Sequence, residues 1–265
     1  MELDLHLKDK TVIVTGASEG LGKAIATEYA REGAQVFISS RSEEKLQKAV
    51  EEIKANTGNE AVKYIVCDMC KDDHIRSLVQ KVAQSTDSID VLINNAGGPP
   101  AGKFIDITDD QWFDAFEQNL LSVVRATRAV LPYMKKNKAG RIVNITSSSI
   151  RETIDNLIVS NTLRPGVHGL TKSLSQEFAA DNILVNTVGP GKIKTNRLVE
   201  LYEKSAKAEG KSVEAVLEEQ ANNIPIGRIG EPEEFAKAVV FLGSFANTYI
   251  TGQYLIVDGA AVKAL

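Results

Sequence analysis

Three glycines in Thr15-Gly16-Ala17-Ser18-Glu19-Gly20-Leu21-Gly22 could cradle a phosphate. Without side chains at 16, 20 and 22, the backbone can turn tightly and approach a pyrophosphate. A helix beginning within the stretch would offer its unpaired N–H groups and the positive end of its dipole to the same anion. Gln35-Val36-Phe37-Ile38-Ser39-Ser40 then ends at Arg41, with no acid where a site for a free ribose usually places one. A guanidinium without a carboxylate suits a 2′-phosphate, which favours NADP over NAD. Glu19 opposes that reading by its charge, and an ion pair of Arg41 with Glu43 or Glu44 is the alternative. The two cysteines, Cys67 and Cys70, have the spacing of a redox pair or half a metal site. No second Cys/His pair follows, so a buried thiol, a loop thiol and no metal are expected.

These residues need a scaffold that brings loops together. Short Val- and Ile-rich runs predict strands at Thr11–Thr15, Gln35–Ser39, Val62–Cys67, Val91–Asn94, Arg141–Thr146, Leu184–Val188 and Tyr254–Val257. Amphipathic stretches between them predict helices at Gly22–Glu32, Ser42–Asn56, Asp72–Gln84, Asp109–Lys136 and Pro165–Ala180. The βαβα alternation implies a single α/β domain over 1–265 built on a mainly parallel, doubly wound sheet. A charged stretch from Asn196 to Asn222 has no strand to serve. A helical cover over a substrate site, about 192–225, is expected there, with a solvated surface hairpin as the alternative.

The chain has 265 residues, 43% of them apolar, and a net charge of −4. That is enough for a substantial core and gives no reason to expect nucleic acid or an anionic membrane as partner. No apolar run reaches the length of a membrane span. Met1 to Lys10 lacks the apolar core of a signal peptide, so a cytoplasmic protein is expected.

Three motifs now occur in order: Thr15–Gly22, Asn94-Asn95-Ala96-Gly97 after the fourth strand, and Gly189-Pro190-Gly191 after the sixth. With Ile250-Thr251-Gly252-Gln253 and Val257-Asp258-Gly259 near the end, the chain resembles the classical short-chain dehydrogenase/reductase family. In detail it is most similar to the 3-oxoacyl-acyl-carrier-protein reductase group. The resemblance implies a Rossmann fold with a seven-stranded sheet, a homo-oligomer (tetramer or dimer), and a small carbonyl or alcohol substrate. It assigns cofactor contacts to Gly16, Ser18, Gly20, Leu21, Arg41, Asp68, Met69, Asn95, Ala96 and Gly97. Asp68 would meet the adenine, and Pro190, Ile193 and Thr195 would border the nicotinamide. Asn94 and Asn95 could instead form a polar network at the strand ends.

The family's catalytic set is Asn, Ser, Tyr and Lys. Asn119 and Ser147 match the first two, while the positions of Tyr and Lys hold Ser160 and Arg164. The matching helix text Gly169-Leu170-Thr171-Lys172 fixes this register. A phenol near a cation is a usable acid at neutral pH, whereas an alkyl hydroxyl is a far poorer one. Arginine keeps its charge, so Arg164 can serve as ribose clamp and electrostatic stabiliser but not as proton relay. Losing general acid catalysis costs on the order of 10²–10⁴-fold in rate. Pro165 suggests that a helix starts or kinks there, so that Ser160 and Arg164 need not converge. A helix-cap serine and a salt-bridged arginine are the structural alternatives.

Arg151, in a segment that borders the family's substrate pocket, could hold a substrate carboxylate or phosphate, or pair with Glu152 or Asp155. His168 is expected to be a packed or surface histidine. The leading expectation is an NADP-dependent oxidoreductase with an altered proton-delivery site. A catalytically silent nucleotide sensor or scaffold, or a non-redox enzyme using the same pocket, are the alternatives.

Overall fold

The Val- and Ile-rich runs become seven strands in one sheet. The computed structural model describes residues 4–264, so Met1, Glu2, Leu3 and Leu265 lie outside the described residues. The strands are β1 (Thr11–Thr15), β2 (Gln35–Ser40), β3 (Val62–Val66), β4 (Val91–Asn94), β5 (Gly140–Ile145), β6 (Ile183–Pro190) and β7 (Tyr254–Val257). They lie in the order β3-β2-β1-β4-β5-β6-β7, and every pairing is parallel. This is the doubly wound Rossmann arrangement. The order reverses between β1 and β4, and the crevice beyond their carboxyl ends is where such sheets bind ligands.

Helices cover both faces, because strands this apolar must be buried on both sides. On one face α1 (Gly20–Arg31), α2 (Glu43–Thr57) and α9 (Pro232–Leu242) bury Ile25, Leu46, Ile53 and Phe235 against Val12, Val14 and Val143. On the other, α3 (Asp72–Ser85), α5 (Ser122–Asn137) and α6 (Ile158–Glu177) lie over Ile13, Leu92, Ile142 and Val185.

Three expectations are corrected or given detail. The stretch expected as one helix from Asp109 to Lys136 is α4 (Asp109–Phe116), a π-helical turn (Glu117–Leu121) and α5. The stretch from Asn196 to Asn222 is a pair, α7 (Asn196–Glu209) and α8 (Val213–Asn222), broken at Gly210 with φ +65° and restarted by Ser212, whose side chain accepts the Ala215 N–H. The third is α6. It begins at Ile158, not at Pro165, and runs through the proline. Proline removes one backbone donor, but burial of Val159, Ser160, Arg164, Val167, Thr171 and Ser175 holds the added turns in place. The side chains of Ser160 and Arg164 therefore share a buried face.

Beneath α6 a polar network crosses the sheet. Asn94 Nδ2 donates to Asn144 Oδ1 (2.8 Å), and Asn144 Nδ2 donates to Thr171 Oγ1 (2.8 Å), which also accepts from Thr187 Oγ1 (2.8 Å). It joins β4, β5, β6 and α6 at fixed heights. Asn144→Ala removes the centre of the network and leaves the Asn94 amide only its longer bond to Thr127 Oγ1 (3.3 Å). It is expected to cost about 1–3 kcal/mol in urea unfolding, and an unshifted midpoint would show that the network does not support the fold.

Candidate active site

The glycine stretch is shaped by its neighbour from β4. Gly16 and Gly20 both have φ +58°, a conformation that disfavours any side chain. Asn95 Nδ2 donates to the carbonyls of Thr15 (3.2 Å) and Gly16 (2.9 Å), while Asn95 N–H donates to Thr15 Oγ1 (2.9 Å). Asn94 and Asn95 are thus the strand-end network, and Asn95 braces the cradle. A Cβ on Gly22 would collide with the Gly16 carbonyl and stand 2.7 Å from Asn95 Nδ2. A Cβ on Gly20 would touch Thr195, 3.6 Å from its methyl. The loop after β6 therefore lies against the loop after β1, as a ligand spanning both would require.

Glu19 is exposed and pairs with Lys45 Nζ at 3.1 Å, which offsets its charge. Glu43 accepts from the Tyr64 hydroxyl (3.2 Å). Among the described residues Arg41 has no ion pair and stands exposed at the end of β2, so the pairing with Glu43 or Glu44 does not form. The residues present fit a phosphorylated dinucleotide: a side-chain-free cradle at a helix N-terminus and an uncommitted guanidinium beside it.

Asp68 follows β3, and its Oδ1 accepts the Cys70 N–H (3.1 Å). Met69 is partly buried, its sulfur 3.7 Å from Cys67 Sγ. Both cysteines are free. Burial, with the Asp68 charge second, pushes the Cys67 thiol up to about 12, so it is no ready nucleophile. No metal-ligating cluster occurs among the described residues.

The residues expected to be catalytic lie on and around α6, which packs on both the π turn and the short turn after Ser147. Ser147 Oγ accepts the Ser149 N–H (3.1 Å), which leaves its own proton free to donate. Ser160 is buried, its hydroxyl 3.2 Å from that of Ser149, and it caps nothing: α6 starts after Leu157. Asn119 is 1% exposed in the π turn; its Nδ2 donates to Ala115 O (3.2 Å) and its Oδ1 has no partner. Single π turns recur at functional sites because they re-aim one side chain. Gln118, its neighbour, donates to the Gly97 carbonyl (3.3 Å) and ties this turn to the loop after β4, where Ala96 lies.

Arg164 is the outlier. It is 6% exposed, and its guanidinium has one protein acceptor, Ile145 O at 2.9 Å. Its Nε is buried without a partner, and no carboxylate among the described residues pairs with it. Burial first, and the charge of Arg197 second, hold it down at about 10. The salt-bridge alternative for Arg164 is not realised.

Three residues here left no mark in the sequence. Ser149 shares its hydroxyl with Ser160. Arg197, at the start of α7, donates to the carbonyls of Gly98 (2.8 Å) and Pro99 (3.0 Å). Tyr254 in β7 donates its hydroxyl to the Ser147 carbonyl at 2.5 Å from 107 residues away, passing where a Cβ on Gly189 would stand. His168 packs against the Tyr254 ring at 5.5 Å, and the exposed Arg151 lies 5.8 Å from the same ring. Ile193 is buried and bridges Gly230, and Thr195 caps α7 by accepting the Leu198 N–H (3.3 Å). No spacing rule announces a contact from the last strand.

The fold and the site's parts define a class: the chain belongs to the short-chain dehydrogenase/reductase family. A family model described as enoyl-(acyl carrier protein) reductase matches residues 16–260. Among relatives, the chain is 36% identical to the 3-oxoacyl-[acyl-carrier-protein] reductase FabG of Thermotoga maritima over 260 residues, 97% of this chain and 100% of that one. Among solved structures it is similar to the L-sorbose reductase of Gluconobacter frateurii complexed with NADPH and L-sorbose. The TM-score there is 0.94 at 29% identity, over 99% of this chain and all of the other. It is also similar to YwfH, an NADPH-dependent reductase involved in bacilysin biosynthesis, with a TM-score of 0.92 at 30% identity over 97% of this chain and 100% of that one.

Proposed function

We propose that this protein is an NADP-dependent oxidoreductase that interconverts a small carbonyl and its alcohol, with proton delivery reorganised around Ser147, Ser149, Ser160 and Arg164. The observation that carries the reading is a braced glycine cradle after β1 in the same fold as a buried, uncompensated guanidinium held against the end of β5. Gly16, Ser18, Gly20 and Leu21 would hold the pyrophosphate, Arg41 the 2′-phosphate, and Asp68 with Met69 the adenine. Ala96 and Gly97 would line the ribose, with Arg164 at the nicotinamide ribose and Pro190, Ile193 and Thr195 at its ring. The bound dinucleotide supplies or accepts the hydride.

The remaining chemistry belongs to the chain. Reduction places negative charge on the carbonyl oxygen. The Ser147 proton is free to hydrogen-bond that oxygen, and Arg164 stabilises the charge from a site where water screens it little. A water molecule, oriented by the Ser149–Ser160 hydroxyl pair, would pass a proton to that oxygen in place of a phenol and take one back from bulk solvent. Asn119, in the π turn on which α6 packs, would help to shape the water's site. The segment 192–225, which contains the α7–α8 pair, would form the cover, and Arg151 would be a substrate contact at its rim. The exposed Phe113, Phe116 and Leu255 support a homo-oligomer, to be checked by light scattering.

NADPH fluorescence titration, followed by NADPH oxidation over ketones, ketoacyl thioesters, quinones and sugars, tests the reading. Binding without turnover on any class would replace it with a silent nucleotide-binding protein. Arg41→Ala is expected to weaken NADPH binding at least tenfold and leave NADH nearly unchanged. Equal losses for both cofactors would remove Arg41 from the 2′-phosphate site.

A further inference from the structure

Resting on the functional reading above, we infer that Tyr254 is a positioning residue for the reaction: its hydroxyl, carried on the last strand, fixes the direction in which Ser147 presents its proton. Ser147 stands just past the sheet. The β5–β6 ladder closes at the pair Ile145 and Val188, and the Thr146 N–H adds a last bond to the Val188 carbonyl (2.9 Å). Beyond it, Ser147 is held by its own turn. Its carbonyl accepts the Ile150 N–H (3.2 Å), and its Oγ accepts the Ser149 N–H (3.1 Å). Tyr254 reaches in from outside that turn and donates its hydroxyl to the Ser147 carbonyl at 2.5 Å.

Three elements converge to make this contact. Pairing with Thr187 on β6 sets the backbone of Tyr254. The ring must then pass Gly189 to reach Ser147, and a Cβ on Gly189 would collide with both the ring and the hydroxyl. From α6, one turn beyond Arg164, His168 packs on the same ring at 5.5 Å. Burial holds the phenol above its ordinary range, so it stays protonated and donates at any working pH. That proton is committed to a backbone carbonyl. Tyr254 therefore orients Ser147 and does not replace the phenol absent at position 160.

A buried tyrosine hydroxyl commonly finds a partner, so the bond alone is ordinary. Its target gives it a role. A tilt of the peptide after Ser147 swings the Cα–Cβ bond of that residue with it, and the Oγ loses its alignment with the Ser149 N–H. The Ser147 proton then no longer points at a fixed place. Misplacing a reacting group by about 1 Å costs on the order of 10²-fold in rate. A short bond that stops the tilt protects the rate more than it protects the fold.

The test compares wild type with Tyr254→Phe, which deletes the hydroxyl and keeps the ring against His168, and repeats the pair in a Ser147→Ala background. Turnover is followed as NADPH oxidation with ethyl acetoacetate and with L-sorbose. Tyr254→Phe is expected to lower kcat about tenfold and to leave the NADPH dissociation constant within about twofold. In the Ser147→Ala background the same change is expected to have no further effect. An unchanged kcat with a lowered urea midpoint, or an equal loss in both backgrounds, would overturn the inference. A second arm needs no turnover. In the NADP+ complex, the Ser149 N–H is expected to exchange with solvent at least about fivefold faster in Tyr254→Phe, read by NMR. Equal exchange would overturn the inference even where Ser147→Ala is too slow to follow. If exchange quickens but wild type reduces no carbonyl class, the tie to Ser147 stands and the reductase reading falls.

Discussion

Gly22→Ala is expected to abolish measurable NADPH binding, with a loss of at least 10²-fold in affinity, while the protein stays folded. The added methyl cannot be accommodated by rotating a side chain. It meets the Gly16 carbonyl, in the loop that must receive the pyrophosphate, and the Asn95 amide that braces that loop from the end of β4. Either the start of α1 moves away from the cradle, or the Asn95 bonds to Thr15 and Gly16 break. Both outcomes misplace the N–H groups that face the phosphates, and charge-assisted bonds weaken steeply with geometry. Fluorescence titration reads the affinity, and circular dichroism reads the fold. Unchanged affinity would show that the dinucleotide does not use this turn.

The second large effect separates stability from activity at one residue. Arg164→Met is expected to lower kcat/KM by about 10²–10³-fold, because the charge facing the developing oxyanion is gone. The same change is expected to leave the urea midpoint unshifted or raise it, by about 1 kcal/mol. An apolar side chain of similar length fills the site without a desolvated charge, and the lost bond to Ile145 O offsets part of that gain. A protein kept as a scaffold has little reason to retain a destabilising cation. If Arg164→Met lowers stability and leaves turnover intact, Arg164 is structural and the mechanism above is wrong.

Much of the scaffold was legible because strands covered on both faces leave continuous apolar runs. The ends of β1, β4 and β7 coincide with those runs, and the glycine stretch lies where a strand gives way to a helix. What was not legible has a common cause in α6. The side chains it turns inward are Ser160, Arg164, Thr171 and Ser175 with two valines, so the buried stripe is largely polar and shows little hydrophobic periodicity. Pro165 then reads locally as a start signal, and tertiary packing overrides it. The π turn escaped for a different reason: it changes hydrogen bonding, not composition. Its sign in the sequence was an asparagine in mid-helix, Asn119, whose cost needed an explanation. The uncompensated state of Arg164 was invisible, since only three-dimensional burial shows which acids fail to reach it.

The hydroxyl that Tyr254 places on the Ser147 carbonyl also sets an order of events. The glycine turn has its Asn95 brace once β1 and β4 have been synthesised, before the Ser147 loop. The Ser147 loop gains its tie only when β7 emerges and docks beside β6. Loss of a few residues past β7 is therefore a different event from loss of β7 itself. Clipping into that strand would remove the tie on the Ser147 loop and leave the glycine turn with its Asn95 brace.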